Sequence, residues 1–251
     1  MRVAVRRLAV LGVLLCVAAS PTLAVPALQL YSPGSTYNTS TESWEAPTDP
    51  FELWVVGATT PQWVTVIDNL SLLIAVPSHQ WDPAATVHIT PVLTNPNDNN
   101  PLTGFGPVDL DSSNALFGDP DDFGLYDDAN YPEHGIYPTY FWPVSLPALQ
   151  VDPVNGAGET VLDHNDTFDP DDPSTWESDS GDVHYLNVNY SPHHGGFSLH
   201  MDLVGLAHNS HEKWTFAPFS HDAEASAPEP GTLALLGTAL AGLLAWSRRR
   251  H

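Results

Sequence analysis

The apolar positions of this chain come in short runs, and many of them alternate with polar residues at a period of two. Phe51, Leu53 and Val55 share one face, with Glu52 between the first two. Residues 70–76 (LSLLIAV) are apolar almost without break, which predicts a strand buried on both faces. Residues 86–93 (TVHITPVL) form a β-branched run in which Pro91 predicts a sheet edge or a bulge, because proline brings no ladder donor. Residues 136–142 (IYPTYFW) predict an aromatic strand with a proline kink. The clearest alternation puts Phe197, Leu199, Met201 and Leu203 inward and Ser198, His200 and Asp202 outward. It follows a strand over 183–190 (VHYLNVNY), and the intervening SPHHGG predicts a hairpin-like turn.

Twenty-one prolines fall between residues 25 and 227, so long helices are not expected there. Strands separated by Asn, Asp, Gly and Pro loops predict a mainly β fold: an antiparallel, jelly-roll-like β-sandwich. About 200 residues between two apolar ends suffice for one domain with its own core. Residues 95–101 and 163–182 read as polar, acid-rich loops.

The two ends carry a different signal. Arg2, Arg6 and Arg7 precede an apolar run over 8–19, with small residues at Thr22 and Ala24. This is the three-part pattern of a secretory signal peptide over 1–24, with cleavage expected after Ala24 and Ala27 as second choice. Cys16 sits inside that run behind Leu15, where a lipoprotein signal needs a small residue, so it reads as filler. The exported part then has no thiol, and packing must hold it without disulfides.

Residues 231–246 (GTLALLGTALAGLLAW) carry no charge and predict one C-terminal transmembrane helix, closed by Ser247 and Arg248, Arg249 and Arg250. Its length of ~24 Å falls somewhat short of a ~30 Å hydrocarbon core, which suits a temporary anchor. Trp246 sits where an interfacial aromatic belongs, and the arginines retain the end in the cytoplasm. Pro228, Glu229 and Pro230 stand just before the helix, and both prolines keep that segment extended. Ordered this way, residues 228–251 resemble the PEP-CTERM sorting signal of Gram-negative bacteria. The resemblance implies that an exosortase-type membrane protease cuts at the tripeptide and releases or re-anchors the protein. The expected division is a signal peptide (1–24), an acidic ectodomain (25–220), a linker (221–227) and a sorting and anchor segment (228–251).

The ectodomain itself is strongly acidic. Residues 25–227 hold 29 of the 30 acidic residues and a single basic one, Lys213, for a formal charge of −28. That excludes ordinary nucleic-acid binding, which needs Lys and Arg against phosphate. It equally disfavours adhesion to anionic lipid headgroups.

Four phrases, LQLYSPGSTYNTSTESW (28–44), HGIYPTYFW (134–142), GGFSLHMDLVGL (195–206) and FAPFSHDAEA (216–225), resemble the ectodomain called choice-of-anchor N. That resemblance implies a β-rich module with alternative anchors and no known activity.

Candidate chemistry lies in three places. Asp109, Asp111 and Asn114; Asp119, Asp121, Asp122, Asp127 and Asp128; and Asp163, Asn165, Asp166, Asp169, Asp171 and Asp172 form acid clusters of the kind Ca²⁺ takes, with solvated acidic loops as the competing reading. None is an EF-hand: counted from Asp163, the sixth position is Phe168 and the twelfth Ser174. Asp119, Asp121, Asp122, Asp163, Asn165, Asp169 and Asp171 are the expected ligands if calcium is the cofactor. His184, His193, His194, His200, His208 and His211 crowd a second region, where His184 and His200 are expected to face each other across the hairpin or to lie exposed on its polar side. No HExxH occurs, since Thr215 stands where the second histidine belongs. Gly196-Phe197-Ser198-Leu199-His200 lacks the second glycine of a nucleophile elbow. The seven Trp and eight Tyr of residues 25–227 offer core packing or, if exposed, surfaces for sugar rings.

The combined expectation is a non-enzymatic structural or interaction protein, exported through the Sec translocon and held transiently in the inner membrane. It then passes to the cell surface or extracellular matrix. The PEP-CTERM resemblance adds extracellular polysaccharide as a partner; calcium-dependent carbohydrate binding is the alternative, and a secreted hydrolase the third reading.

Overall fold

Strands dominate the chain, as its period-two patterning and prolines require. A computed structural model describes residues 26–39, 43–46, 49–59, 64–92, 102, 104–125, 136–152, 159–165, 167–191, 197–208, 212–217 and 222–226. The signal peptide with Ala24, the tripeptide Pro228, Glu229 and Pro230, the apolar segment 231–246 and Arg248, Arg249 and Arg250 lie outside the described residues. So do 95–101, Asp127, Asp128, Asp166, His193, His194 and His211.

The described strands are β1 (Leu28–Tyr31), β2 (Thr36–Asn38), β3 (Ser43–Glu45), β4 (Phe51–Ala58), β5 (Val66–Val76), β6 (Thr86–Pro91) and β7 (Val108–Leu110). They continue with β8 (Leu116–Gly118), β9 (Thr139–Ser145), β10 (Glu159–Leu162), β11 (Ser178–Ser191), β12 (Ser198–His208), β13 (Lys213–Phe216) and β14 (Asp222–Ser226). The helical features among them are 3-10 turns at Ser78–Gln80, Pro120–Phe123 and Pro173–Thr175. Among the described residues no helix is long and apolar enough to cross a membrane.

One sheet runs β1-β4-β11-β6-β7, with β10 also on β11; the other runs β2-β3-β14-β12-β5-β9-β8, with β13 also on β12. All pairings are antiparallel except β14 with β3. Leu28, Leu30, Leu53, Val55, Leu186 and Val188 of the first sheet share one core with Leu72, Ile74, Trp142, Leu199, Met201 and Leu203 of the second. The alternations expected for β4 and β12 therefore point inward as read, and Leu70 through Val76 are all buried.

Several expectations need correcting. β11 and β12 do not form a hairpin: β11 pairs with β4, and β12 with β5. The chain passes from the first sheet to the second between β11 and β12, so the expected hairpin is absent. His184 and His200 accordingly sit in different sheets. Residues 178–182, read as loop, are the start of β11. Residues 222–226, read as linker, form β14 between β3 and β12, so the β-rich body extends to Ser226. The kink at Pro138 precedes β9, and Pro91 ends β6 beyond its pairing with β7, where no second neighbour needs its N–H.

The outward positions of β12 are also covered. Leu73, Ala75, Phe141 and Val204 form an apolar cluster on the outer face of the second sheet, beneath Leu116, Leu125, Tyr137, Trp214 and Phe216. This second covering explains why 70–76 carries no polar alternation: β5 is buried on both faces.

The closest backbone approach lies between β4 and β11. A Cβ on Gly181 would stand 2.0 Å from the Gly57 carbonyl oxygen and 2.8 Å from the Val161 methyls. A backbone oxygen cannot step aside as a side chain can, so Gly181→Ala is expected to lose about 1–3 kcal/mol, measured by urea unfolding; an unchanged midpoint would contradict the contact. Burial, aided by the Asp49 carboxylate, pushes the Tyr190 phenol up from 10.0 to about 12. Its neutral form thus stabilises the fold fully below pH 10, and this contribution disappears as pH rises through about 12. Thermal melts of Tyr190→Phe should lose less stability across that interval than the natural protein does.

Candidate functional site

The acidic loops engage their carboxylates locally. Asp119 accepts the Asp121 N–H at 3.2 Å and opens the 3-10 turn that carries Asp121 and Asp122. Asp111 accepts both the N–H and the hydroxyl of Ser113, at 2.7 and 2.5 Å. In the loop from β10 to β11, Asp163 accepts from the Asn165 amide, Asn165 from Thr167, Asp169 from the Asp171 N–H and Asp172 from the Ser174 N–H. Apart from the side-chain pair of Asp163 with Asn165, these are Asx turns, in which a short acceptor side chain closes its own backbone. Asp119, Asp121 and Asp122 follow β8 of one sheet, whereas Asp163, Asn165, Asp169 and Asp171 precede β11 of the other. Among the described residues no three His, Cys, Asp or Glu side chains come together to hold a metal ion.

Aromatic contacts fasten the loop that follows β10. Phe168 packs edge-on against Tyr31 and Trp44, and the His164 ring stacks on Tyr31 with centroids 4.0 Å apart. Trp44 Nε1 donates to the His164 carbonyl at 2.7 Å, and the Gln29 side chain bonds the backbone at Leu162 and His164. Burial raises the Tyr31 phenol. Trp44 and Trp142 thus go to packing, while Trp176 alone among the described tryptophans is exposed.

Of the six histidines singled out from the sequence, the described ones, His184, His200 and His208, are buried or half-buried. His184 is buried in β11, its Nε2 3.1 Å from the Pro147 carbonyl, next to Asp182, whose carboxylate accepts the Gln150 N–H at 2.6 Å. Both fasten the segment after β9 over the end of the core. His200 lies in β12 with Nε2 2.8 Å from Asp202 Oδ1, and Tyr137 donates to the other oxygen at 2.9 Å. Two donors satisfy the Asp202 carboxylate, which is what permits its burial. His208 is 2.9 Å from Asp68 across the β12–β5 pair. Each described histidine has structural partners, and the pattern of imidazoles alone gave no means to foresee them.

A different surface escaped the sequence reading. The outer face of the first sheet is apolar at one end, where Val56, Val161, Val183 and Tyr185 cluster with Trp54 and Val92. At the other end it is polar and recessed, with a cavity of about 640 Å³ lined by Glu52, His88, Thr90, Asn187 and Asn189. Register builds this patch: Asn187 lies between Glu52 and Thr90, Asn189 beside His88, and His88 beside Asp109. His88 Nδ1 and Asp109 Oδ1 are hydrogen-bonded. Trp54 Nε1 donates to Glu52 Oε1 at 2.5 Å, and Trp54 meets Tyr185 edge-on at the boundary. The signal available in advance was Asn187 and Asn189, two poor strand formers spaced by two in an otherwise strand-like run.

Residues 226–250 match the family described as the PEP-CTERM protein-sorting motif. The motif indicates export and sorting to the cell envelope or surface, with processing by an exosortase-type system. The match does not reach the β-rich body, and the choice-of-anchor N resemblance has no support. No curated protein and no solved structure matches the chain. Ser226, the last residue of β14, is also the first of the match, so only Ala227 separates the folded body from Pro228.

The Asx turns carry a pH signature. The Ser113 hydroxyl and N–H hold the Asp111 carboxyl below its ordinary 3.8, and Ser174 does the same for Asp172. A depressed folded value means stabilisation that is present above pH 3.8 and lost as pH falls through the depressed value. Melting curves of Asp172→Ala should therefore fall below those of the natural protein at pH 7 and converge with them in acid. Asp172→Asn, which keeps the acceptor, should recover most of the difference at pH 7.

Proposed function

We propose that this protein is an exported envelope component whose β-rich body acts by contact, as a structural or interaction element of the surface or extracellular matrix, and not as a catalyst. Residues 1–24 direct it through the Sec translocon. Residues 231–246 then hold it in the inner membrane as a transient helix, with Trp246 at the interface and Arg248, Arg249 and Arg250 as the retention signal. An exosortase-type protease acts at Pro228, Glu229 and Pro230.

The observation that carries this reading is the adjacency of the sorting motif to β14. A cut at the tripeptide leaves every described strand on the released side, β14 included. The body therefore needs no refolding after processing. The acidity supports a role outside the cytoplasm that involves neither nucleic acid nor anionic lipid: −28 over residues 25–227 repels both.

Replacement of Pro228, Glu229 and Pro230 by alanine, followed by pulse-chase labelling and fractionation, tests the reading. The expected result is unprocessed, membrane-associated protein where the natural chain is trimmed and leaves the membrane. Trimming and release at the natural rate would show that the tripeptide is not the processing signal.

A further inference from the structure

We propose that the recess on the outer face of the β4-β11-β6-β7 sheet is a binding site for a neutral oligosaccharide, with Asn187 and Asn189 as its principal recognition residues and Glu52, Thr90 and the His88–Asp109 pair around them. Four observations converge on it.

The first is placement against propensity. β11 is flanked by β4 on one side and by β6 and β10 on the other, and in such a strand β-branched residues pack best on either face. Asn187 and Asn189 are instead two adjacent outward positions, both exposed at the floor of the recess. Strand propensities span roughly 1 kcal/mol, so the pair is retained against a local stability cost.

The second is hydrogen-bonding capacity. Most acidic loop residues close their own turns, but the amides of Asn187 and Asn189 and the hydroxyl of Thr90 have no side-chain hydrogen-bond partner among the described residues. Each amide offers two donors and an acceptor side by side. Glu52 adds an acceptor held in place by Trp54, and His88 is oriented by Asp109. Sugar hydroxyls donate and accept at once, and this mixed, convergent set complements them.

The third is charge. The recess has the Glu52 carboxylate in its lining and that of Asp109 hydrogen-bonded to its His88, and Lys213 of β13, in the other sheet, is the single Lys or Arg of residues 25–227. Phosphate, sulfate and uronate groups would meet repulsion without a cationic fork, so the ligand is uncharged. The fourth is topology. The recess is on a sheet face whose backbone groups are engaged with neighbouring strands, so an extended peptide has no free edge here to add to. The volume of about 640 Å³ falls within the range of small-ligand sites.

This inference takes only its biological setting from the reading of the protein as a surface component. The sorting variant can behave as expected while the recess binds nothing, and the reverse, so the two fail separately.

The test is affinity electrophoresis of the whole chain, purified in mild detergent, through native gels containing dextran, galactomannan, xylan or mixed-linkage β-glucan, with alginate as the anionic control. At least one neutral polymer should retard the protein and alginate should not. Asn187→Thr/Asn189→Thr replaces both amides by better strand formers; it should weaken retardation at least tenfold while the melting temperature stays level or rises. That combination separates recognition from folding, because a structural role for the amides predicts a lower melting temperature. Asn187→Asp/Asn189→Asp, which removes the donors at similar size, should also lose retardation. The proposal is overturned if no neutral polymer retards the chain, if alginate does so equally, or if the threonine variant binds like the natural protein.

Discussion

The eight-residue register between β11 and β4 is the constraint on which the remainder of the body depends. Val188 stands opposite Phe51 and Gly181 opposite Ala58, without interruption. Because side chains alternate with a period of two, this one alignment sends Leu186 and Val188 into the core and Asn187 and Asn189 outward. A slip by one residue would bury two amides and expose two aliphatic side chains. The contact of Gly181 with the Gly57 carbonyl belongs to the same alignment, since it is tolerated only where Gly181 carries no Cβ. The shared core, the outer recess and the fit of β10 beside β11 are all consequences of one ladder.

That ladder forms in a body whose charge opposes compaction. With −28 over residues 25–227 and no thiol there to cross-link, burial must exceed self-repulsion. Two features achieve this. The second sheet is covered on both faces, so the β5–β12 pair buries apolar surface twice over. The carboxylates outside the core are dispersed among Asx turns and 3-10 caps, where each stabilises a local N–H at a place water also reaches. Among the described residues, the acid clusters are thereby distributed along turns.

The junction at Ser226 ties the body to the sorting motif. β14 is held between β12 and β3, and β12 is itself central, so the stretch just before the motif is part of the fold and not a free tether. The recess lies on the other sheet, whose strands all precede the sorting motif.

Local pattern alone was enough to specify much of this protein. The short alternating runs and frequent prolines determined a mainly β body, and the inward positions of β4, β5 and β12 were legible residue by residue, because burial of alternate side chains is written directly into the sequence. The charge-free segment beside Pro228, Glu229 and Pro230 was legible for the same reason: the order of its parts is itself the signal. Tertiary structure decided which strands pair. A turn between two strands has the same composition whether it folds back within a sheet or arches to the opposite one, so the SPHHGG connection could not reveal that His184 and His200 lie in separate sheets. Nor could residues 222–226 reveal themselves as a strand, since their place between β3 and β12 depends on partners about 20 and 180 positions away. The outer recess assembles residues from β4, β6 and β11, and only long-range register brings them onto one face.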